Sequence, residues 1–214
     1  MSTPATQALQ AGATPPASRA DVENLLGSPL PALLAEAHAV HAANFDPLEV
    51  ELATLLNIKS GGCPEDCAYC PQSARYDTDV DNEALLGADT VRERARAARA
   101  AGARRFCMGA AWRAPKDRDI DAVIELLGVV ADEGLETCLT LGMLRADPAA
   151  RLAAAGLDYY THHLDTSPEY YPQIISTRTY QDRIETLRHV RDAGIRVCCG
   201  GIIGLGENPA DRAG

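Results

Sequence analysis

The 214-residue sequence lacks any block of basic residues and any long hydrophobic run. Lysine and arginine total 20 against 30 acidic residues, which gives a net charge of −10. A nucleic-acid partner is therefore not expected, since such partners attract clustered positive charge. No apolar run approaches the roughly 20 residues that span a bilayer, so no membrane association is expected either. Hydrophobic residues still make up 46% of the chain, which is enough to build a core.

A secretory signal is also missing, because no apolar stretch precedes Asp21. Residues 1–20 are rich in Ala, Thr, Pro and Ser and predict a disordered tail ahead of a domain over residues 21–214. A transit peptide is the weaker alternative, since Arg19 is the only basic residue of that tail. Seven cysteines without a secretory signal argue against a disulfide framework and favour metal binding or thiol chemistry in the cytoplasm.

Helix-like and strand-like segments alternate through the rest of the chain. Apolar residues at helical spacing predict a helix over residues 30–45, and the stretch "VELATLLNIKS" then reads as a strand. Four further helices each end at a glycine that suits the left-handed position after a helix, and a short strand follows each of them. These glycines are Gly102, Gly134, Gly156 and Gly194. Asp147 and Pro148 read as the N-cap and first residue of one of these helices.

Such alternation predicts parallel strands joined by helical crossovers. The pattern contains five strands and stops at "NPADRAG", where the next helix should begin. A closed (β/α)8 barrel needs eight such units. The chain is therefore either an open α/β sheet or about the first five βα units of a barrel, and we expect it to be C-terminally truncated. Exposed strand edges then predict poor stability.

Three cysteines crowd the loop after the first strand, in "SGGCPEDCAYCPQSARY" at Cys63, Cys67 and Cys70. Structural zinc is held by four closed ligands, so zinc would need a fourth from elsewhere, such as His162 or a strand cysteine. Iron–sulfur clusters are also held by thiolates, normally four. Three thiolates would leave one iron open to a substrate or cofactor. The residues favour an iron–sulfur cluster, with zinc or a chance grouping as alternatives.

Three more cysteines lie on strands, since Cys107, Cys138 and Cys198 each follow a helix-ending glycine by four or five residues. Side chains at one height on parallel strands can converge inside a barrel. The alternative is that each is a small buried hydrophobic residue. On the strand "YYTHHLD", Thr161, His163 and Asp165 share the face expected to carry the site, although alternation alone does not exclude His162.

The loop motif Cys63-x3-Cys67-x2-Cys70, with Tyr69 before its last cysteine, resembles the signature of radical S-adenosylmethionine enzymes. The wider pattern is more specific. The stretches "CPEDCAYCPQS", "RFCMGAAW", "LDTSPE", "TRTYQDR" and "GLGE" resemble the biotin synthase family, in the family's order, from about Leu25 to the end of the chain. Relatives of the same subfamily with another small substrate, and a non-catalytic zinc-binding module, are the alternatives.

The resemblance implies a radical-SAM-type barrel and a sulfurtransferase that converts dethiobiotin to biotin. A 4Fe-4S cluster would bind S-adenosylmethionine, and a 2Fe-2S cluster would donate the sulfur. The first cluster would be held by Cys63, Cys67 and Cys70. The second would be held by Cys107, Cys138 and Cys198.

The resemblance also assigns contacts to S-adenosylmethionine. Tyr69 would lie by the adenine with Ile202 packed on it, Asp165 would bind the ribose, and Arg183 would face the methionine carboxylate. A reducing electron donor such as flavodoxin or ferredoxin and a homodimer are implied as well.

Two residues depart from the family pattern, which has asparagine at the positions of Thr161 and His163. The first asparagine helps to hold the substrate and the second the ribose. Thr161 lacks the paired donor and acceptor of an amide, so we expect it to weaken dethiobiotin binding or to accompany another substrate. His163 is bulkier but can still donate to a hydroxyl. The family also extends well past Gly214, so the truncated chain need not be active alone.

Overall fold

The computed structural model describes residues 17–214. The chain divides into two compact units, which are described separately. One comprises the chain up to Val50 together with Glu207–Gly214, and the other comprises Glu51–Gly206. Most of the expected disordered tail, residues 1–16, lies outside the described residues. Within residues 17–214, no helix is both long and apolar enough to cross a membrane.

The smaller unit contains three helices, α1 (Arg19–Leu26), α2 (Leu30–Asn44) and α8 (Pro209–Ala213). Helix α1 begins inside the expected tail, because Ser18 and Asp21 form a reciprocal capping box that satisfies free backbone N–H groups. Arg19 Nη2 donates a hydrogen bond to the Ala210 carbonyl at 2.7 Å and so joins α1 to α8.

Helix α2 confirms the predicted helix, but its apolar stripe is not covered by other described residues. No residue of α1 or α2 is buried, and Leu30 and Leu34 are 67% and 61% exposed. Leu33, Val40 and Phe45 line an open apolar groove of about 620 Å³. The spacing of apolar residues therefore predicted the helix correctly without indicating what packs on it.

The larger unit is a five-stranded parallel sheet with helices between successive strands. The strands are β1 (Ala53–Lys59), β2 (Arg105–Ala110), β3 (Glu136–Thr140), β4 (Tyr159–Thr161) and β5 (Arg196–Cys198). The helices are α3 (Ala88–Ala100), α4 (Asp117–Asp132), α5 (Ala146–Ala154), α6 (Tyr171–Ile174) and α7 (Tyr180–Asp192). The strands lie in the order β1-β2-β3-β4-β5 and every neighbouring pair is parallel. This confirms the predicted five parallel strands with helical crossovers.

The helix ends follow the predicted pattern with one difference. Each of the four predicted glycines follows its helix with a positive φ, between 75° and 89°, as the left-handed position requires. Helix α5, however, begins at Ala146 with Arg145 at the N-cap, so the prediction of Asp147 as N-cap and Pro148 as first residue was wrong. Asp147 lies instead in the first turn, where the positive end of the helix dipole stabilises its negative charge.

The two faces of the sheet have different surroundings. Ile58, Phe106 and Leu139 belong to the core that includes helix residues such as Ile120 and Leu152. Successive strand residues point to opposite faces, so their neighbours Asn57, Cys107 and Thr140 face the other side. That second face is where the site lies.

Candidate cofactor site on the inner face of the sheet

A cavity of about 460 Å³ lies on the second face of the sheet and collects most of the predicted site residues. Thiols from the loop and from β2 line it, together with polar residues from β1, β4 and α7. Its thiols are Cys63, Cys67, Cys70 and Cys107. Its predicted polar residues are Tyr69, Thr161, His163, Asp165 and Arg183. The loop thiols, Cys107 and polar residues at strand ends thus line one cavity, whereas Cys138, Cys198 and Ile202 do not line it.

The cysteine loop is closed by its own backbone. The Cys63 N–H donates to the Gln72 carbonyl at 3.0 Å, and the Cys63 carbonyl accepts from Ala74 N–H at 2.7 Å. Gly61 precedes it with φ 65°, and a Cβ there would lie 2.3 Å from the Asp81 carbonyl oxygen, so only glycine fits. All three loop cysteines are free thiols.

Two acidic residues between the cysteines attach the loop to a distant segment. Asp66 accepts hydrogen bonds from the backbone N–H groups of Ser176 at 2.9 Å and Thr177 at 3.1 Å, and from both hydroxyls. Burial raises the pKa of Asp66, but these hydrogen bonds outweigh it and hold the pKa well below its usual range. Buried Glu65 accepts from the Thr177 hydroxyl and pairs with Arg113 at 3.0 Å.

Arg178, from the same segment, places a positive charge beside one of the loop thiols. Its Nη2 lies 3.3 Å from the Cys67 sulfur. Burial raises the pKa of the Cys67 thiol, while Arg178 acts in the opposite direction by favouring the thiolate. Sequence reasoning did not identify Arg178, Glu65 or Asp66. The available signal was the pair of acids within the cysteine motif, followed far along the chain by the hydroxyl- and arginine-rich stretch "STRT".

The loop residues fit an iron–sulfur group. Three unpaired thiols border one cavity, with a guanidinium beside one of them, and thiolate sulfur is the donor that such clusters use. Across residues 17–214, no three His, Cys, Asp or Glu side chains come close enough together to hold a single metal ion. His162 lines the cavity, and its buried Nε2 has no hydrogen-bond partner among the described residues.

The strand cysteines lie in two rows, where a row means positions directly opposite one another across the sheet. Cys107 is opposite Cys138, which in turn is opposite Tyr159. Cys198 is opposite Thr161, two residues further along β4. The expectation of one common height therefore holds for two cysteines, and the third lies two residues further towards the strand ends, as the stagger of a barrel sheet produces.

The first two strand thiols interact directly. A hydrogen bond between the Cys107 and Cys138 thiols raises the pKa of Cys107 and lowers that of Cys138 to about 7. Thr161 contributes to the second shift, because its Oγ1 lies 3.1 Å from the Cys138 sulfur. Cys138 is buried and Cys198 is exposed. The reading of all three as small buried hydrophobic residues therefore does not fit Cys198.

Tyr69, Asp165 and Arg183 form one polar cluster, in which Asp165 and Arg183 are buried and Tyr69 is exposed. The Tyr69 hydroxyl donates to Asp165 Oδ2 at 2.7 Å, and Arg183 Nη2 pairs with the same oxygen. Arg183 Nη1 also donates to the His163 carbonyl at 2.7 Å, and Nε donates to the Tyr171 hydroxyl at 2.9 Å. Asp165 and Arg183 are only 2% and 4% exposed, so Arg183 is not a solvated helix residue.

The backbone at Asp165 is unusual, with φ 69° in the left-handed region that non-glycine residues rarely adopt. The Ile202 N–H donates to the Asp165 carbonyl at 2.8 Å, which places Ile202 beside this turn. The strand ends at Thr161, so alternation stops there and both His162 and His163 line the cavity. Burial, with Arg183 and Arg178 nearby, lowers the pKa of His162 to about 3.

A charged layer lies beside the strand cysteines, on the same face of the sheet. The Tyr159 ring contacts two guanidinium groups, with Arg105 Cζ at 3.7 Å and Arg196 Cζ at 3.9 Å from its centre. Arg105 also pairs with Glu51 at 2.7 Å and with Glu136 at 3.1 Å. Its buried Nε has no hydrogen-bond partner among the described residues. These contacts fix a positive charge two residues before Cys107.

Curated relatives of this chain are biotin synthases. The biotin synthase of Granulibacter bethesdensis is 64% identical over 197 residues, which is 92% of this chain and 63% of that protein. The biotin synthase of Aeromonas salmonicida is 60% identical over 194 residues, 91% of this chain and 54% of that protein. The chain therefore spans between about half and two thirds of the length of these relatives.

The fold of the chain also resembles that of a solved structure. Methylornithine synthase (PylB) superposes with a TM-score of 0.76 over 97% of this chain and 61% of that one, at 16% identity. Together with the five-stranded parallel sheet, this likeness confirms the predicted radical-SAM-type α/β fold. The sequence profile of the Radical SAM superfamily matches residues 57–214, from the end of β1 through the cysteine loop and every later strand. The chain therefore belongs to the radical SAM superfamily.

Proposed function

We propose that the chain serves in a biotin synthase, in which sulfur is inserted into dethiobiotin. The carrying observation is that the larger unit contains two separate sets of free thiols, three in the loop after β1 and three on strands, in a chain 64% identical to a biotin synthase. A radical SAM enzyme that needs a single cluster has no use for the second set.

In this proposal Cys63, Cys67 and Cys70 hold a 4Fe-4S cluster. When bound, such a cluster would supply the electron needed to cleave S-adenosylmethionine to methionine and a 5′-deoxyadenosyl radical, the species that would remove hydrogen from unactivated carbons of dethiobiotin. The chain contributes geometry and charge. Asp66 anchors the loop, and Arg178 lies beside the Cys67 sulfur, where its charge favours the thiolate form that binds iron.

S-adenosylmethionine is proposed to bind at the cluster of Tyr69, Asp165 and Arg183. Support comes from their convergence on the cavity that the loop thiols line. Asp165 would accept from ribose hydroxyls, and Arg183 suits a carboxylate because its guanidinium is a planar fork of donors. His163 would donate to a ribose hydroxyl. Ile202, next to Asp165 through its backbone, would pack on the adenine.

The second set, Cys107, Cys138 and Cys198, is proposed to hold the 2Fe-2S cluster that donates sulfur. Two of these thiols, Cys107 and Cys138, lie directly opposite each other, which supports their binding to the same cluster. Thr161 lines the cavity at the family's substrate position, so dethiobiotin contact at Thr161 stays a prediction. The alternative of another small substrate rests on this departure from asparagine.

The remaining features of the proposal concern partners and location. A flavodoxin- or ferredoxin-type donor would supply the electron, and the enzyme would act as a homodimer. Seven free thiols are stable in a reducing compartment, which supports the cytoplasm as its location.

Anaerobic reconstitution of the chain with iron and sulfide tests the proposal. We expect charge-transfer absorption, two kinds of cluster, and S-adenosylmethionine cleavage on reduction. Cys67→Ala should abolish cleavage, and Cys138→Ala should remove only the second cluster signal. Cys199→Ala is the matched control, since it removes the exposed thiol next to Cys198. It should change neither the cleavage nor the second cluster signal. Binding of one equivalent of zinc without charge-transfer absorption would overturn the proposal.

A further inference from the structure

The hydroxyl of Thr161 points to a thiol of the second set. We propose that it donates a hydrogen bond to the Cys138 thiolate and is thereby a positioning residue for the group that the strand cysteines hold. This inference rests on the proposed function. It assigns Thr161 a role toward sulfur that differs from the substrate contact expected from the family pattern.

The contact itself is the first support. Thr161 Oγ1 lies 3.1 Å from the Cys138 sulfur, within hydrogen-bonding distance for oxygen and sulfur. Cys138 is almost fully buried, so water does not compete freely for the sulfur. A hydroxyl can donate one hydrogen bond, and a thiolate can only accept. The Thr161 hydroxyl is therefore the donor whenever Cys138 is ionised.

Metal binding changes which groups can donate a hydrogen bond to the Cys138 sulfur. Without metal, the Cys107 thiol can also donate to Cys138. Cysteine ligands are deprotonated when they bind metal, so Cys107 then has no proton to donate. Among residues 17–214, Thr161 is the donor to Cys138 that remains. The hydroxyl would thus contact the sulfur in the state in which the enzyme works.

The position of Thr161 in the sheet is the second support. It lies on β4, between β3, which carries Cys138, and β5, where it is paired directly opposite Cys198. Pairing with β5 fixes its backbone on that side, and its β-branched side chain has few accessible rotamers. Thr161 is therefore held in the row of Cys198, and its hydroxyl reaches the Cys138 sulfur in the other row.

This use of the hydroxyl limits what it can offer a substrate. Once its single proton is directed to Cys138, Thr161 presents only oxygen lone pairs to the cavity. An asparagine at this position would present both a donor and an acceptor. Thr161 can then accept from a substrate N–H group but cannot donate to a substrate carbonyl.

The expected effect follows from the charge on sulfur. A hydrogen bond to a thiolate stabilises its negative charge, and the reduced cluster carries more of that charge than the oxidised one. Removing the donor should therefore shift the reduction potential to a more negative value. Outer partners of metal ligands typically affect metal affinity by about 10- to 100-fold, so the group should also be lost about tenfold faster.

The test uses the whole chain after anaerobic reconstitution, with Thr161→Val to delete the hydroxyl and Thr161→Ser to retain it. The signal of the strand cysteines is the part of the spectrum that Cys138→Ala removes. Its midpoint potential and its rate of loss to an iron chelator are measured. Thr140→Val is the matched control, because it removes a threonine hydroxyl from the same cavity. Absorption from the loop cysteines in the same sample reports whether each variant is folded.

We expect a more negative potential and about tenfold faster loss for Thr161→Val, with Thr161→Ser and Thr140→Val close to the parent chain. Equal potentials and rates in Thr161→Val and the parent chain would overturn the role of the hydroxyl alone. If Cys138→Ala removes no signal from the parent chain, the assignment of the second cluster fails, and this inference fails with it. The two failures are therefore distinguishable.

Discussion

At the scale of single residues, the cysteine loop depends on side chains that carry no sulfur. Asp66 receives donors from Ser176 and Thr177, more than a hundred residues away, and Glu65 reaches the same segment. Ionised acceptors make stronger hydrogen bonds than neutral ones. These contacts set the position of Cys67, which lies between Asp66 and the exposed end of the loop. The loop is therefore held from outside as well as by its own turns.

Replacing Asp66 with alanine should loosen that attachment. We expect the free energy of unfolding to fall by about 1.5–3 kcal/mol, because the hydrogen bonds to one charged acceptor are lost. Iron bound by the loop should fall as well. Chemical denaturation and iron analysis after reconstitution measure the two effects. Asp77→Ala, at an exposed acidic residue of the following segment, is the control and should change neither. Unchanged stability in Asp66→Ala would contradict the proposed anchor.

At the scale of elements, helix α7 presents Arg183 to the site and depends on its first turn for its start. Thr179 caps the helix by accepting from Asp182 N–H at 3.2 Å, and Asp182 Oδ2 accepts from Thr179 N–H at 2.7 Å. The backbone hydrogen bond from Thr179 is the largest influence that lowers the pKa of Asp182. A depressed carboxyl pKa means that the ionised form stabilises the folded state.

Asp182→Asn should therefore destabilise the protein in a pH-dependent way. The contribution of Asp182 is fully present above its unfolded pKa of about 3.9 and is lost as the pH falls through its lower folded value. We expect the parent chain to melt at a higher temperature than Asp182→Asn at about pH 7. The difference between their melting temperatures should shrink below about pH 4. Thermal unfolding followed by circular dichroism measures this. Glu185→Gln, further along the same helix, serves as control. A difference in melting temperature that grows on acidification would contradict a stabilising role for the ionised carboxylate.

At the scale of the whole molecule, the sheet has two unpaired edges within residues 17–214, β1 and β5. Val197 on β5 is 40% exposed. Unpaired edges with exposed apolar side chains are templates for further strand pairing. The larger unit should therefore associate through these edges when no further strand covers them.

A lysine at the β5 edge should reduce this association. We expect the apparent mass of the parent chain to rise with concentration in sedimentation, and Val197→Lys to shift that rise to higher concentration. Val40→Lys, on the exposed stripe of α2 in the other unit, distinguishes edge pairing from general apolar association. A parent chain that stays monomeric at every concentration, or an equal response to both lysines, would contradict edge pairing.

Local features of this protein follow from its sequence alone. The alternation of helices and strands, the glycines after four helices and the spacing of the loop cysteines depend on neighbouring residues, whose backbone preferences are short-range. The cavity found is lined by the three loop thiols and by Cys107 of the strand cysteines, and the roles of these thiols stay predictions. The stripe of α2 shows the limit of such patterns, since periodicity does not indicate what packs on a helix.

Tertiary structure decided which of these residues meet. The offset of Cys198 depends on the register between β4 and β5, and spacing along the chain does not encode that register. The Thr161–Cys138 contact and the attachment of Asp66 to Ser176 join residues far apart in sequence. Their geometry arises only when strand pairing and core packing bring separate segments together, which is why no local pattern predicted them.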